Sequence, residues 1–275
     1  MNDELKGFQG GLILHFDELD STQEFVLQNH ESLQVNTCVW THQQTSGKGR
    51  RGRSWIQTPQ KDLAFSILFK LPVGTPTEFI NQWFAFALRE AIDHIFNIEC
   101  DLKWPNDIKW KGQKVSGILS NEISLPHESK SPITDRTFAM GIGLNLLSCQ
   151  EDRAGVDQGH ISISEIMNEV NLDSNLLSDA KKMKPKDLLL KYLSQLLMQL
   201  SGVIYQMTRG PLSHFQHMIG QFHIDCERPI SYFLEADDTE HQAILIGIEE
   251  SGALIVRNSE TDLLSILRNP WRIEY

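Results

Sequence analysis

Apolar residues recur along this chain with two different periods. Between residues 76 and 96, Phe79, Ile80, Trp83, Phe84, Ala87, Leu88, Ala91, Ile92 and Ile95 stand three and four apart, which predicts a long helix with one apolar face. The same spacing over 186–207 predicts a second long helix. Shorter helices are predicted after Ser21 and Ser162, each followed three residues later by a glutamate (Glu24, Glu165). In such a capping box the hydroxyl accepts from the first turn and the carboxylate reaches back. Elsewhere the pattern alternates. CVWTHQQ (38–44), LAFSILFKL (63–71), KVSGILSNEIS (114–124) and TFAMGIGLNL (137–146) are rich in β-branched and aromatic residues and predict strands. Pro105-Asn106-Asp107 ends a further strand, and Lys111-Gly112 makes a hairpin turn before Lys114.

Helices separate some of these strands and not others, so the first ~220 residues predict a mixed sheet with helices packed on it, an α+β fold. After Gly220 the texture changes to short strands separated by turn residues: RPISYFLEA, QAILIGIEE, ALIVRN, LLSILR and WRIEY. This predicts a division into a large domain over 1–223 and a small barrel-like domain over 224–275. The segment PHESKSPITDR (126–136) is predicted to extend a hairpin into solvent.

Composition narrows the function. Of 275 residues, 25 are Lys or Arg and 36 Asp or Glu, a net charge of −11 that argues against broad electrostatic attraction to DNA or an anionic membrane. Cys38, Cys100, Cys149 and Cys226 are scattered and include no C-x-x-C pair, which suits a reducing compartment and excludes a zinc knuckle of that kind. The first residues are acidic where a secretory signal would be basic, and the apolar run GLILHF is too short for one. No run approaches the ~18 apolar residues of a membrane span. A soluble cytoplasmic protein is expected.

Against that acidic background, residues 32–61 contain no acid and carry Lys48, Arg50, Arg51, Arg53 and Lys61. The centre, GKGRRGRSW (47–55), interleaves glycines with cations, so backbone N–H groups and charges could both face a phosphate. Taken alone it is equally a solvated linker. Gly47-x-Gly49-x-x-Gly52 matches the dinucleotide pattern, and Gly47 to Ser54 is one residue from a Walker A loop. Both patterns require a helix directly afterwards, and SWIQTPQKD, with Pro59, does not supply one. Asp107 reads as a turn carboxylate, an arginine partner or a Mg²⁺ ligand. Lys114 reads as an edge charge or a site residue beside Gly117, where a ligand could lie against the backbone. His214, His217 and His223 lack the spacing of a metal motif and are expected as solvated surface residues.

DSTQ (20–23), QQTSGKGRRGRSW (43–55), KWPND (103–107), Lys114-x-x-Gly117 and GIGLN (141–145) occur in the order and approximate spacing of the biotin protein ligase family. The chain resembles that family strongly over 12–146 and weakly through QGHIS (158–162) and the C-terminal segment. The resemblance implies a catalytic domain of the biotin/lipoate ligase type, like class II aminoacyl-tRNA synthetases, followed by an SH3-like β-barrel. It implies a two-step reaction: ATP and biotin form biotinyl-5'-AMP and pyrophosphate, then a lysine of a biotin carboxyl carrier domain of acetyl-CoA carboxylase takes the biotin. Mg²⁺ would accompany ATP.

Carried over position by position, the family's biotin contacts fall on Ser21, Thr22, Gln23, Gln44, Lys48, Gly49, Arg50, Lys114 and Gly117. Its ATP contacts fall on Arg50, Arg51, Arg53, Trp55, Lys103, Asn106, Asp107, Lys114 and Asn145, with Asp107 also on the Mg²⁺ side. Lys114 and Arg50 take the catalytic positions. Trp55 and Trp104 either line the pocket or pack in the core. Two positions depart from the family: Lys48 stands where many relatives have arginine, and His160 where some carry an aromatic that stacks on adenine.

A lipoate or octanoate ligase of the same superfamily is the alternative in the same class, and a non-catalytic biotin-responsive sensor or repressor the alternative in another. Only about twenty residues precede DSTQ, too few for the DNA-binding module of bifunctional relatives, so no specific DNA binding is expected. Relatives can dimerise through the large sheet, and homodimerisation enters as an expectation on that ground.

Overall fold

A computed structural model of the chain describes residues 7–72, 77–123, 135–153, 159–172, 175–207, 219, 222–223, 226–234, 239–249, 252–259, 261–267 and 272–274. Seven strands form the larger sheet: β1 (Ile13–Leu19), β2 (Cys38–Gln44), β3 (Leu63–Pro72), β4 (Asp101–Lys103), β5 (Asp107–Trp110), β6 (Gln113–Ile123) and β7 (Asp135–Leu144). Their order is β1-β2-β3-β7-β6-β5-β4, parallel between β1 and β2 and antiparallel elsewhere. The predicted strands are all present. β1 is additional, because its alternation is masked by the apolar pair Ile13-Leu14, which faces both sides of the sheet.

Alternation within the strands separates two cores. On β3, Leu63, Phe65, Ile67, Phe69 and Leu71 belong to the main core, as do Phe138, Met140, Ile142 and Leu144 of β7. That face is covered by α2 (Thr77–Phe96) and α5 (Pro185–Met207). Leu189, Leu193, Leu196, Leu197 and Leu200 of α5 are fully buried, and each such leucine is worth about 1.5–3 kcal/mol of transfer free energy. α5 is also long and apolar enough to cross a membrane, but its leucine face is spent on this core. Pro185 occupies its first turn, where no intrahelical N–H partner is lost. Two shorter helices, α3 (Ile163–Glu169) and α4 (Asn175–Ala180), precede it, the latter without a sequence signal strong enough to predict it. On the opposite face α1 (Thr22–Asn29) packs Val26 against Val39, Leu68 and Ala139.

The capping boxes differ in outcome. At Ser162 both halves form, with Glu165 reaching back to the Ser162 N–H at 2.9 Å. At Ser21 only the first half forms, the hydroxyl accepting from Glu24 N at 3.4 Å.

The C-terminal strands β8 (Pro229–Phe233), β9 (Glu240–Ile248), β10 (Leu254–Asn258), β11 (Leu264–Leu267) and β12 (Arg272–Glu274) form a five-stranded antiparallel sheet in the order β11-β10-β9-β8-β12. Its core of Ile230, Tyr232, Leu245, Leu254 and Val256 includes Trp104, donated by the β4–β5 connection. Gly252 O accepts from both Trp104 Nε1 (3.1 Å) and Gln82 Nε2 of α2 (2.7 Å), so two buried donors of the large unit end on one carbonyl of the small one. Trp104 is therefore a core residue. His223 is likewise not a surface residue: it is 7 % exposed, bridges to Leu102, and burial lowers its pKa to about 4. His214, His217 and nearly all of the 126–136 segment lie outside the described residues.

Candidate active site

The site begins as missing side chains. On the face of the sheet turned away from the main core, β3 offers Ala64 and Ser66, β7 offers Gly141 and Gly143, and β6 offers Gly117. Register aligns them in two rows, Ala64–Gly143–Gly117 and Ser66–Gly141–Leu119. Large residues at these positions would carry the sheet face up to α1; small ones leave a depression.

One wall is built from the first turn of α1 and the end of β2. Gln44 Oε1 accepts from Thr22 N at 2.9 Å and from Thr22 Oγ1 at 3.2 Å, and Thr22 Oγ1 also lies 2.9 Å from Ser66 Oγ. Gln23 Nε2 donates to Ala139 O (3.0 Å) and to Asn121 Oδ1 (2.9 Å), while its buried Oε1 has no hydrogen-bond partner among the described residues. Gln44 is held in turn by Gln57, whose Oε1 accepts from the Gln44 N–H and whose amide donates to Thr41 O and Asp62 O.

The glycine-rich basic segment closes the site from above as a small hairpin. Trp55 N donates to Gly47 O (2.9 Å) and Gly49 N to Arg53 O (2.7 Å), around a turn at Arg50–Gly52 in which Arg51 has φ of 55°. The hairpin lays the Trp55 indole directly on Gly143, where any Cβ would overlap the ring. Trp55 Nε1 is buried without a hydrogen-bond partner among the described residues, which with Gln23 Oε1 places two unspent polar atoms in the pocket.

Charge gathers at one end. Lys114 Nζ lies 2.6 Å from Asp107 Oδ1, both side chains about a quarter exposed. Arg50 Nη1 donates to Asn106 Oδ1 at 3.2 Å, and Asn106 Nδ2 is fixed by Ile118 O at 2.7 Å. Burial pulls the Arg50 pKa below its ordinary value, Arg51 adds to that, and Asp107 opposes it. Two cations thus stand near one carboxylate, and an incoming anion would find an excess of positive charge.

The nine residues expected at a biotin-type pocket, Ser21, Thr22, Gln23, Gln44, Lys48, Gly49, Arg50, Lys114 and Gly117, all line this one depression. Of the remaining ATP-side positions, Trp55 and Asn106 line it, whereas Arg51, Arg53, Lys103, Asp107 and Asn145 lie outside its walls. Arg51 and Arg53 project into solvent. Asn145 is buried and donates to Lys114 O (3.1 Å), so it positions the strand of Lys114. His160 is carried to the same place, because Lys114 N donates to Gly159 O (2.6 Å) and Ile161 N to Lys114 O (3.0 Å). Ser66, Asn121 and Gln57 were not anticipated. Ser66 had a signal: a lone hydroxyl in an apolar strand requires a partner when buried.

Residues 16–131 match the model of the Biotin/lipoate A/B protein ligase family. The bifunctional ligase/repressor BirA of Escherichia coli is 22% identical over 248 residues, which is 90% of this chain and 70% of that protein. A biotin--[acetyl-CoA-carboxylase] ligase of Paracoccus denitrificans is 31% identical over 146 residues, 51% of this chain and 56% of that protein. Among solved structures, biotin protein ligase from Aquifex aeolicus in complex with biotin and ATP superposes with a TM-score of 0.68 at 21% identity, covering 96% of this chain and 98% of that one. At that identity the superposition establishes the shared α+β fold.

Proposed function

From the match of residues 16–131 to the biotin/lipoate A/B protein ligase family and from the likeness to biotin ligases, we propose that the chain is a member of that family and a biotin protein ligase that works through an adenylate. The observation that carries the reading is the polarity of the pocket along its length. Neutral hydrogen-bonding groups from Ser21, Thr22, Gln23 and Gln44 line one end, and Lys114 and Arg50 stand at the other. A ureido ring both donates and accepts, which suits the first end, and a carboxylate suits the second.

In the first step a biotin carboxylate oxygen bonds to the α-phosphorus of ATP while the bond from that phosphorus to the bridging oxygen breaks, and pyrophosphate leaves. Negative charge moves from carboxylate to phosphate oxygens, and one cation ~4 Å away is worth on the order of 4 kcal/mol at an effective dielectric of 20. Lys114 reaches both positions from a strand whose backbone Asn145 and residues 159–161 hold. Trp55, pressed on Gly143, gives the site an apolar wall that excludes water from the mixed anhydride. In the second step the amine of an acceptor lysine, on a biotin carboxyl carrier domain, attacks the acyl carbon, AMP leaves, and the amine loses a proton.

Mg²⁺ ordinarily takes one carboxylate together with nucleotide phosphates, and Asp107 is of that type. Bound there, the cation would neutralise phosphate charge. Arg51 and Arg53, exposed on the hairpin, are assigned to the pyrophosphate end. Residues 1–223 are taken as the catalytic domain and 224–275 as a C-terminal domain closing on it.

The test is pyrophosphate exchange into ATP with biotin, lipoate and octanoate compared side by side. Exchange with biotin alone is expected. Exchange driven by lipoate or octanoate and not by biotin would assign the chain to the other branch, and none with any of the three would leave a sensor.

A further inference from the structure

On the β1–β2 edge of the large sheet, outside the biotin pocket, three side chains of metal-binding type converge. β1 and β2 run parallel with His15 beside Trp40, so His15 and Asp17 of β1 share a face with Trp40 and His42 of β2. The His15 Nε2 and the His42 Nδ1 lie 3.8 and 3.7 Å from the same oxygen, Asp17 Oδ1. One donor atom from each of the three residues falls within a 4.8 Å cluster. These separations are too long for hydrogen bonds. The Nε2 atoms of both histidines are buried and have no hydrogen-bond partner among the described residues. The rings are fixed from below by Trp40, with centroids 4.5 Å from His15 and 5.1 Å from His42.

We propose that His15, Asp17 and His42 form a binding site for a divalent transition-metal ion, Zn²⁺ by chemical type. Two imidazoles and one carboxylate select Zn²⁺, Co²⁺ or Ni²⁺ over Mg²⁺ and Ca²⁺, which take oxygen. Bonds of ~2.0–2.1 Å at tetrahedral angles put ligand atoms ~3.3 Å apart, so the two ring nitrogens, within 4.8 Å of each other, must draw together as the ion binds, and Asp17 must close on each of them by about half an ångström. Asp17, 89 % exposed at its side chain, supplies that movement, and water completes the coordination. Burial and the nearby Lys186 at the start of α5 disfavour the protonated form of both rings, and Asp17 favours it. The ion would clasp β1, which leads into α1 and Thr22, to β2, which ends at Gln44.

The experiment uses the full chain without a histidine tag, stripped with chelator, and reads Zn²⁺ by titration calorimetry and Co²⁺ by its visible d–d absorption. One ion per chain is expected, together with a rise in melting temperature on adding Zn²⁺. Removing a partner outside the coordination sphere costs about 10–100-fold in affinity, so loss of a direct ligand in His42→Gln should cost at least about 100-fold. His42 packs on Trp40, so Asp17→Asn, at an exposed position, provides a variant that keeps the fold; it should weaken binding and abolish the melting shift. Absence of stoichiometric binding, or binding that survives Asp17→Asn unchanged, overturns the site. None of these readouts requires biotin or ATP, so they stand or fall separately from the ligase reading.

Discussion

Lys114 is the residue on which the proposed chemistry turns. Its ammonium is 2.6 Å from Asp107, and its main chain is bonded on both sides by Gly159 and Ile161. Lys114→Ala keeps those backbone bonds and removes a partly exposed ion pair, so stability should change by under ~1 kcal/mol. If Lys114 steadies charge as it passes from carboxylate to phosphate, biotinyl-adenylate formation should fall on the order of 10²- to 10³-fold. Biotin binding should weaken less, because Thr22 and Gln44 keep their geometry. Single-turnover adenylation beside thermal unfolding separates the effects, and an equally stable variant with the parent rate would remove Lys114 from the site.

At the scale of elements, the hairpin from Gly47 to Trp55 is closed by two backbone bonds and leans on the body through Arg50–Asn106 and the Trp55 ring. Its cations repel one another and its glycines have the most backbone freedom to lose, so without ligand it should open often. Bound adenylate would supply the missing counter-charge. Tryptic cleavage at Arg51 and Arg53 is expected to slow at least about 10-fold when biotin and ATP are both present, as for a lid that closes over its substrate. Equal cleavage with and without the two ligands would show that the hairpin is not a lid.

At the scale of the molecule, the two sheets are joined by polar bonds as well as apolar contact. Trp104→Phe keeps the ring in the C-terminal core but deletes one of the two bonds to Gly252 O, and should cost about 1–2 kcal/mol in urea unfolding. A loss of less than a few tenths would show that the small sheet is held by packing alone. His223, beside that junction, makes stability depend on pH. Its folded pKa of about 4 lies below the 6.5 of a free histidine, so between those values the unfolded chain takes up a proton that the folded chain refuses. Stability should therefore be full above pH ~6.5 and fall toward pH 4 by up to roughly 3 kcal/mol. His223→Leu should flatten that limb; an unchanged slope would assign the loss to other groups.

The order of the elements and the residue types that line the pocket were legible in one dimension because both are local. Three- and four-residue spacing predicts α2 and α5, alternation predicts β3 and β7, and the motifs around Ser21, Gln44, Arg50 and Lys114 mark the candidate site by the order in which they resemble the family's. What needed the third dimension was every property set by register between distant segments. Ser66, Gly117 and Gly143 become the floor of one pocket only because β3, β7 and β6 lie side by side. Trp104 and Trp55 are alike as sequence, yet one enters the C-terminal core and the other the pocket. His223, which composition would leave in water, is sealed at the junction, and His15 and His42 meet because β1 pairs with β2 in a particular register. Local preference sets which residues form a helix or strand, but which side chains share a face across strands is settled by the pairing that buries the most apolar surface, a property of the whole chain.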